Sequence, residues 1–349
     1  MDHDPGICRS PPQQAEMLPQ LLSWRPATLQ DLASWAGLIE RTAAVEQPVW
    51  FERREDLIQI LQSKKNHPAA NTIIGVDEEG IPRAYARITK NPEGDKAYGF
   101  GCVDPEWQRR GIGRALLGWL ESRTVARFAE DLAANKGGPD QSRAAPRARL
   151  RLHMEEQHRH QAELFGRSGF VVVRYYNEMH RPLSTPLPDF ALASGLELVG
   201  MAPHLNEPVR EAHNDAFRDH WGSEPRDEES WADTVNDPLA RPDLSAVVLD
   251  RVTGRVAGYQ LATHDPHIAV IRGYTEGYTD LLGVRREYRG RGIASALLAD
   301  AMRKFAVAGM DKASLDVDSE NPTGALALYT KMGYAVVNRS MAWDKELQE

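Results

Sequence analysis

The stretch Val284-Arg-Arg-Glu-Tyr-Arg-Gly-Arg-Gly-Ile-Ala-Ser-Ala-Leu-Leu298 decides how this chain is read, because a near copy of it lies 181 residues earlier. Aligned without a gap, Val103-Asp-Pro-Glu-Trp-Gln-Arg-Arg-Gly-Ile-Gly-Arg-Ala-Leu-Leu117 is identical at eight of fifteen positions. Two glycine-arginine turns so alike, each after a strand ending in valine, point to an internal duplication. A second matched pair follows, Phe165-Gly-Arg-Ser-Gly-Phe170 against Tyr329-Thr-Lys-Met-Gly-Tyr334, at an offset of 164. The difference between the offsets, 17 residues, is extra chain in the first copy. It falls within 131–147, where Gly137, Gly138, Pro139 and Pro146 among small polar residues read as a surface loop.

A chain of 349 residues suits two domains. Residues 1–20, with Pro5, Pro11, Pro12 and Pro19, read as a flexible tail without the basic-then-apolar pattern of a secretory signal. The first copy then runs over 21–182, a proline-stiffened linker over 183–195, and the second copy over 196–349. In the second copy the pattern predicts a strand over 196–199 and helices over 203–217 and 227–235. A hairpin over 244–262 turns at 250–254, and a strand covers 274–284. A helix over 293–307, a strand over 312–317, a helix over 323–332 and a strand over 334–343 complete it. The first copy repeats this order: a strand near Trp24, helices near 31–42 and 56–62, and strands near 72–76, 83–89 and 98–103. The expected fold is therefore α/β, of the α+β kind. Each copy has a mixed, mostly antiparallel sheet flanked by helices.

The apolar share of 42% with 26% charged residues is that of a globular protein, and no run approaches 18 apolar residues, so a membrane helix is not expected. Two cysteines, Cys8 and Cys102, give no disulfide framework, and a reducing cytoplasm is the expected compartment. The net charge of −8 offers no attraction to nucleic acid or an anionic membrane. The one basic cluster, Arg143, Arg147, Arg149 and Arg151, reads as a solvated loop and strand edge. His153 and His158 stand five apart with no cysteine pair nearby, which is not metal-ligand spacing, and no metal is expected.

Chemistry concentrates at Arg289-Gly290-Arg291-Gly292-Ile293-Ala294-Ser295, between a strand and a helix. Glycine lets backbone come close to a ligand, and the first amides of a helix lack internal partners and favour negative charge. A diphosphate fits such a seat, with Arg289 and Arg291 adding positive charge. There is no Gly-x4-Gly-Lys-Ser/Thr loop, and the turn lies too late in each copy for a dinucleotide fingerprint. The pattern Gln/Arg-x-x-Gly-x-Gly/Ala after a strand resembles motif A of the GNAT superfamily of N-acetyltransferases. It occurs as Gln108-Arg109-Arg110-Gly111-Ile112-Gly113, followed by Arg114, and as Arg289 to Ala294. Downstream, Asn321-Pro-Thr-Gly-Ala325-Leu-Ala-Leu-Tyr329-Thr-Lys-Met-Gly333-Tyr334 resembles the family's motif B.

The resemblance implies acetyl-CoA as cosubstrate and the primary amine of a small molecule as acceptor. It implies the diphosphate on the motif A turn and the pantetheine arm along Leu282-Gly283-Val284 (around Val103 in the first copy). A backbone amide there would polarise the thioester carbonyl, and Asn321 belongs to the same cradle. By position Tyr329 is the acid that protonates the departing thiolate. The family's usual glutamate base would sit where this chain has Tyr278. Strand alternation puts Glu276, Tyr278, Asp280 and Leu282 on one face. The base stays open between Asp280 and Glu276, with Asp316 and Asp318 behind them. His220 and Trp221, between the early helices, either line an acceptor pocket with Tyr278 or close the core as an aromatic lid. At the Tyr329 position the first copy has Phe165, and at the Tyr278 and Asp280 positions it has Ala97 and Gly99. It also lacks the Asn-Pro-Thr-Gly run, so the first copy is expected to be non-catalytic.

Overall fold

The computed structural model describes residues 18–48, 51–134, 147–218, 220–321 and 324–347. Most of the expected tail, most of the 131–147 insertion and the Pro322-Thr323 pair of motif B lie outside the described residues. The strands, in chain order, are β1 (Ser23–Arg25), β2 (Thr72–Val76), β3 (Pro82–Thr89), β4 (Ala97–Val103), β5 (Ala148–Glu155) and β6 (Val171–Pro182). In the second copy they are β7 (Leu196–Gly200), β8 (Ala246–Asp250), β9 (Val256–Thr263), β10 (Glu276–Val284), β11 (Lys312–Asp318) and β12 (Ala335–Leu347). The helices are α1 (Leu32–Glu46), α2 (Arg54–Gln62), α3 (Pro68–Asn71), α4 (Ile112–Ala134), α5 (Arg159–Arg167), α6 (Asn206–Ala216), α7 (Glu228–Val235), α8 (His267–Arg272), α9 (Ile293–Val307) and α10 (Ala325–Lys331). Among the described residues, no helix is long and apolar enough to cross a membrane.

Contacts divide the chain into two compact units, 1–174 with 340–349, and 175–339. The repeat boundaries expected from sequence and the contact boundaries differ at two strands. Tyr175–Pro182, the end of the first repeat, pairs antiparallel with β11 over seven residues and belongs to the second unit. Ser340–Leu347, the end of the second repeat, pairs with β5 and belongs to the first. Each sheet is thus completed by the final strand of the other repeat.

In the second unit the sheet runs β6-β11-β10-β9-β8-β7, with all neighbours antiparallel except β10 and β11. α9 covers one face. Its buried Ile293, Leu297, Ala301, Met302 and Phe305 recur at helical spacing, and Phe305 and Met302 are fully enclosed with Leu298, Leu315 and Met179. α6 and α7 cover the other face through Val209, Ala212 and Trp231 against Val247, Val256 and Tyr259. With layers on both sides, β9 is buried along nearly its whole length, Gln260 included, and shows no polar-apolar alternation. The first unit has the same plan: β1-β2-β3-β4-β5 and residues 340–347 of β12, with Trp35, Leu38 and Ile39 of α1 packed on Ile74 and Tyr85.

Candidate active site

The site of the second unit starts from a failure of pairing. β10 and β11 are parallel neighbours only at Glu276↔Lys312, Gly277↔Ala313 and Tyr278↔Ser314, and beyond that they diverge. The rest of β10 stays paired with β9 as far as Val284↔Gly258, so the opening is a wedge between two firmly held strands. The Arg285 amide donates to Ala257 of β9, so alternation turns the backbone groups of Leu282 and Val284 towards the open side. One edge of the wedge therefore presents backbone N–H and C=O groups that β11 does not pair, as an added extended chain requires, although the Val284 carbonyl accepts from Arg289.

A bulge in β10 sets what faces this opening. The register with β9 slips between Thr279 and Leu281, leaving Asp280 as the extra residue. A Cβ on Gly277 would strike the Phe305 ring of α9, and Leu282 also packs on the α9 side. Leu281 packs instead with Val209 and Trp231, and a Cβ on Gly283 would meet the Tyr259 ring. The strict alternation expected from sequence does not hold. Glu276 and Tyr278 share their face with Leu281 and Gly283, and Leu282 is turned to the core.

The bulge also changes the match between copies. β4 pairs with β3 without a slip, and its contact with β5 is confined to Ala97↔Leu150 and Tyr98↔Arg151. Counting along the ladders, the counterpart of Tyr278 is Tyr98, not Ala97, and Asp280 has none. His153 stands where the second unit has Asp316, and its ring stacks on Tyr98 at 6.3 Å. Beside it, the Arg87 guanidinium lies 3.8 Å over Phe100 and is paired with the buried Glu52. Phe165 occupies the Tyr329 position, against Phe170 and Trp343.

At the mouth of the wedge the chain turns sharply into α9. Gly290 and Gly292 have φ of 75° and 76°, and Gly292 caps the helix. A Cβ at either would meet nothing within 4 Å. The first copy keeps the same two left-handed positions, Arg109 at φ 64° and Gly111 at 82°. The arginines are placed differently from the expectation. The Arg289 guanidinium donates to the carbonyls of Ala216 (2.9 Å) and Val284 (3.4 Å), tying the turn to the end of α6. In the first copy the Gln108 side-chain amide donates to the Glu46 carboxylate and the Val103 carbonyl. Arg291 lies over the Tyr288 ring at 5.1 Å, exposed beside the turn, as Arg110 lies over Trp107. Ile293 and Ile112 anchor the turn in the core, Ala294 and Ser295 are half-buried, and Gly113 and Arg114 open α4.

Around the apex, where β10 and β11 part, the Tyr278 hydroxyl donates to Asp316 at 2.9 Å. Asp316 is exposed at the cleft yet surrounded by enough protein that desolvation, with the charges of Glu178 and Glu276, pushes its pKa up to about 6. Asp280 is also exposed there, and desolvation raises its pKa against the opposing pull of Arg226. Glu276 lies lower, 7% exposed, bonded by the Ser314 hydroxyl and 3.7 Å from His180. Asp318 is buried at the end of β11, where its carboxylate accepts from the Glu320 amide.

Tyr329 sits across the sheet in one core cluster with Leu315, Val317 and Tyr334, and Leu282 packs against that cluster. Burial pushes its pKa up to about 12, which keeps the phenol protonated at neutral pH. His220 comes within 3.5 Å of Asn321, which joins the acceptor-side loop to the motif B loop. Behind it stack Phe217 and His213, and His213 Nδ1 lies 2.6 Å from the Tyr259 hydroxyl. Trp221 is half-buried in the same loop. A cavity of about 480 Å³ between α6, the 217–225 loop and Arg285 contains none of these residues except the Phe217 wall.

The acetyltransferase (GNAT) family profile matches residues 35–137 and 206–334, well over half of the chain. The chain belongs to the GNAT acetyltransferase family. Its two family segments fall one in each repeat, and the protein is an N-acetyltransferase of tandem GNAT type. This tandem GNAT chain is similar to the mycothiol acetyltransferase of Salinispora arenicola, 28% identical over 79% of this chain and 82% of that protein. The mycothiol acetyltransferase of Salinispora tropica is 29% identical over 79% and 82%. Its fold matches a GCN5-related N-acetyltransferase from Sphaerobacter thermophilus at a TM-score of 0.67 and 22% identity, over 95% and 98% of the two chains. A tandem GNAT protein from the clavulanic acid biosynthesis pathway matches at 0.68 and 17%, over 94% and 99%.

Proposed function

We propose that the second unit transfers an acetyl group from acetyl-CoA to the primary amine of a small molecule, and that the first unit is not catalytic. The observation that carries this reading is the open wedge running into a left-handed glycine turn at the head of α9. The group fits the residues present: the β10 edge at Leu282 and Val284, which β11 does not pair, matches an extended amide-bearing arm. Gly290 and Gly292 leave open space beside the first amides of a 15-residue helix, where a diphosphate is favoured. When bound, acetyl-CoA supplies an acyl group already activated as a thioester. The chain's own residues then do three things. A backbone amide on the β10 edge would stabilise the charge that the acyl oxygen gains. Tyr329 holds a proton for the departing sulfur, and a carboxylate at the apex takes one from the amine. In the first unit Phe165 has no proton to give, and Tyr98, His153 and Arg87 fill the corresponding face with stacked rings and a closed ion pair.

The naming of relatives that align over about four fifths of this chain supports a narrower version, a cysteinyl pseudo-disaccharide as the acceptor. The test is thiol release from acetyl-CoA with glucosamine, spermidine, L-cysteine amide and that pseudo-disaccharide. Release that Tyr329→Phe abolishes supports the enzyme, and a preference for the pseudo-disaccharide supports the narrower version. Tight CoA binding with no release on any acceptor identifies a binding module instead.

A further inference from the structure

We propose that Asp316 is the group that receives the proton of the acceptor amine, with Tyr278 as the residue that positions its carboxylate. This rests on the acetyltransferase reading of the second unit. Asp316 lies two residues past the last β10–β11 pair, at the apex of the wedge where the two strands part. The neighbours of Asp316 have settled roles that leave this one vacant. Glu276 is sealed under Ser314 and His180, and Asp318 is buried at the strand end. Asp280 is the bulge residue, and among the described residues no hydrogen bond fixes its direction. Asp316 is both open to the cleft and held, by the 2.9 Å bond from the Tyr278 hydroxyl.

The exchanged strand β6 supplies the electrostatics. Glu178 stands directly opposite Asp316 in the ladder, and His180 opposite Ser314. Burial works to raise the Glu178 pKa, but the His180 hydrogen bond and the Arg272 charge outweigh it, so Glu178 stays ionised. Asp316 then faces a fixed negative charge across the ladder and another at Glu276. Two neighbouring carboxylates with their affinities for protons driven apart are the usual arrangement for acid-base work. The groups facing Asp316 are Tyr278, Glu276 and Asp280 from β10 and Glu178 and His180 from β6, with Arg272 and Tyr274 behind Glu178. Of the two protons an ammonium group gives up on becoming an amide, one leaves through Asp316 to solvent. The other balances the sulfur, which Tyr329 protonates as the carbon–nitrogen bond forms and the carbon–sulfur bond breaks.

The experiment combines 13C-aspartate NMR titration of the full chain with pH profiles of kcat/KM on the fastest acceptor of the amine series above. Asp316 is assigned by the signal lost in Asp316→Asn. Expected is a titration near pH 6 matched by the acid limb of activity. The limb moves up in Tyr278→Phe, which removes a bond to the charged form, and down in Glu178→Gln, which removes a repelling charge. Asp316→Asn loses on the order of 10²-fold in kcat/KM or more, with calorimetric binding of acetyl-CoA unchanged. If Asp316→Asn stays within a few-fold of wild type, or the limb ignores both neighbouring variants, the assignment is wrong while the acetyltransferase reading stands. An ordinary aspartate titration near pH 4 also overturns it. A wild type that turns over no acceptor overturns both.

Discussion

Gly292 shows most sharply what one residue contributes. Its φ of 76° belongs to the left-handed region, which costs an L-residue roughly 1–2 kcal/mol. The first copy tolerates an arginine at the equivalent of Gly290, so the strain alone does not forbid a side chain. What a side chain would do is stand in the open space beside the α9 amides. Gly292→Ala is therefore expected to lower stability by about 1–2 kcal/mol and to weaken acetyl-CoA binding by considerably more than that strain accounts for. Thermal melts and calorimetry on one protein sample separate the two effects. The glycine spacing was readable from sequence because φ above zero leaves a compositional trace. The role of Arg289 was not, because a carbonyl 73 positions away gives no local signal.

At the scale of elements, the packing of α6 on β9 makes stability depend on pH. His213 is buried between Phe217, Trp231 and Tyr259, and desolvation, with the charges of Arg226 and His220, pulls its pKa down to about 3 from 6.5. The unfolded chain takes up that proton near 6.5 and the folded chain only near 3, so acid favours unfolding between these values. The stabilisation is complete above about 6.5 and is lost as pH falls towards 3. The urea midpoint of the wild type is expected to drop over this window, and that of His213→Asn to be flatter. The same scale holds the second test of packing. Gly277→Ala drives a methyl group to 2.3 Å from the Phe305 ring, and overpacking of that kind costs about 1–3 kcal/mol. A lowered melting temperature with intact acetyl-CoA binding is the expected outcome. Element order was legible because apolar periodicity survives in α9 and strand content in β8 to β10. The bulge was not, since a one-residue slip changes no composition yet turns Leu282 to the core and shifts the match of Tyr278 to Tyr98.

At the scale of the whole molecule, the exchange of final strands governs how the chain can be cut. Local sequence marks where a strand is but not which neighbour it joins, so the repeat boundaries at 182 and 196 looked like domain boundaries. The second unit needs residues 175–182. They supply seven ladder positions to β11, Met179 to the core under α9, and Glu178 and His180 beside Asp316. Arg181 adds bonds to the carbonyls of Met332 and Pro186. Burying one methionine contributes roughly 1.5–3 kcal/mol, and an exposed β11 edge would in addition offer unpaired backbone to other chains. A domain of this size has a net stability of only about 5–15 kcal/mol. A fragment cut at the repeat boundary, 196–349, is therefore expected to aggregate or remain partly unfolded. The fragment 175–339, cut along the contact boundary, is expected to give a cooperative melt and to bind acetyl-CoA. Circular dichroism melts and calorimetry on the two fragments decide the point. Equal folding of both would mean that β6 is dispensable to the folding of the second unit.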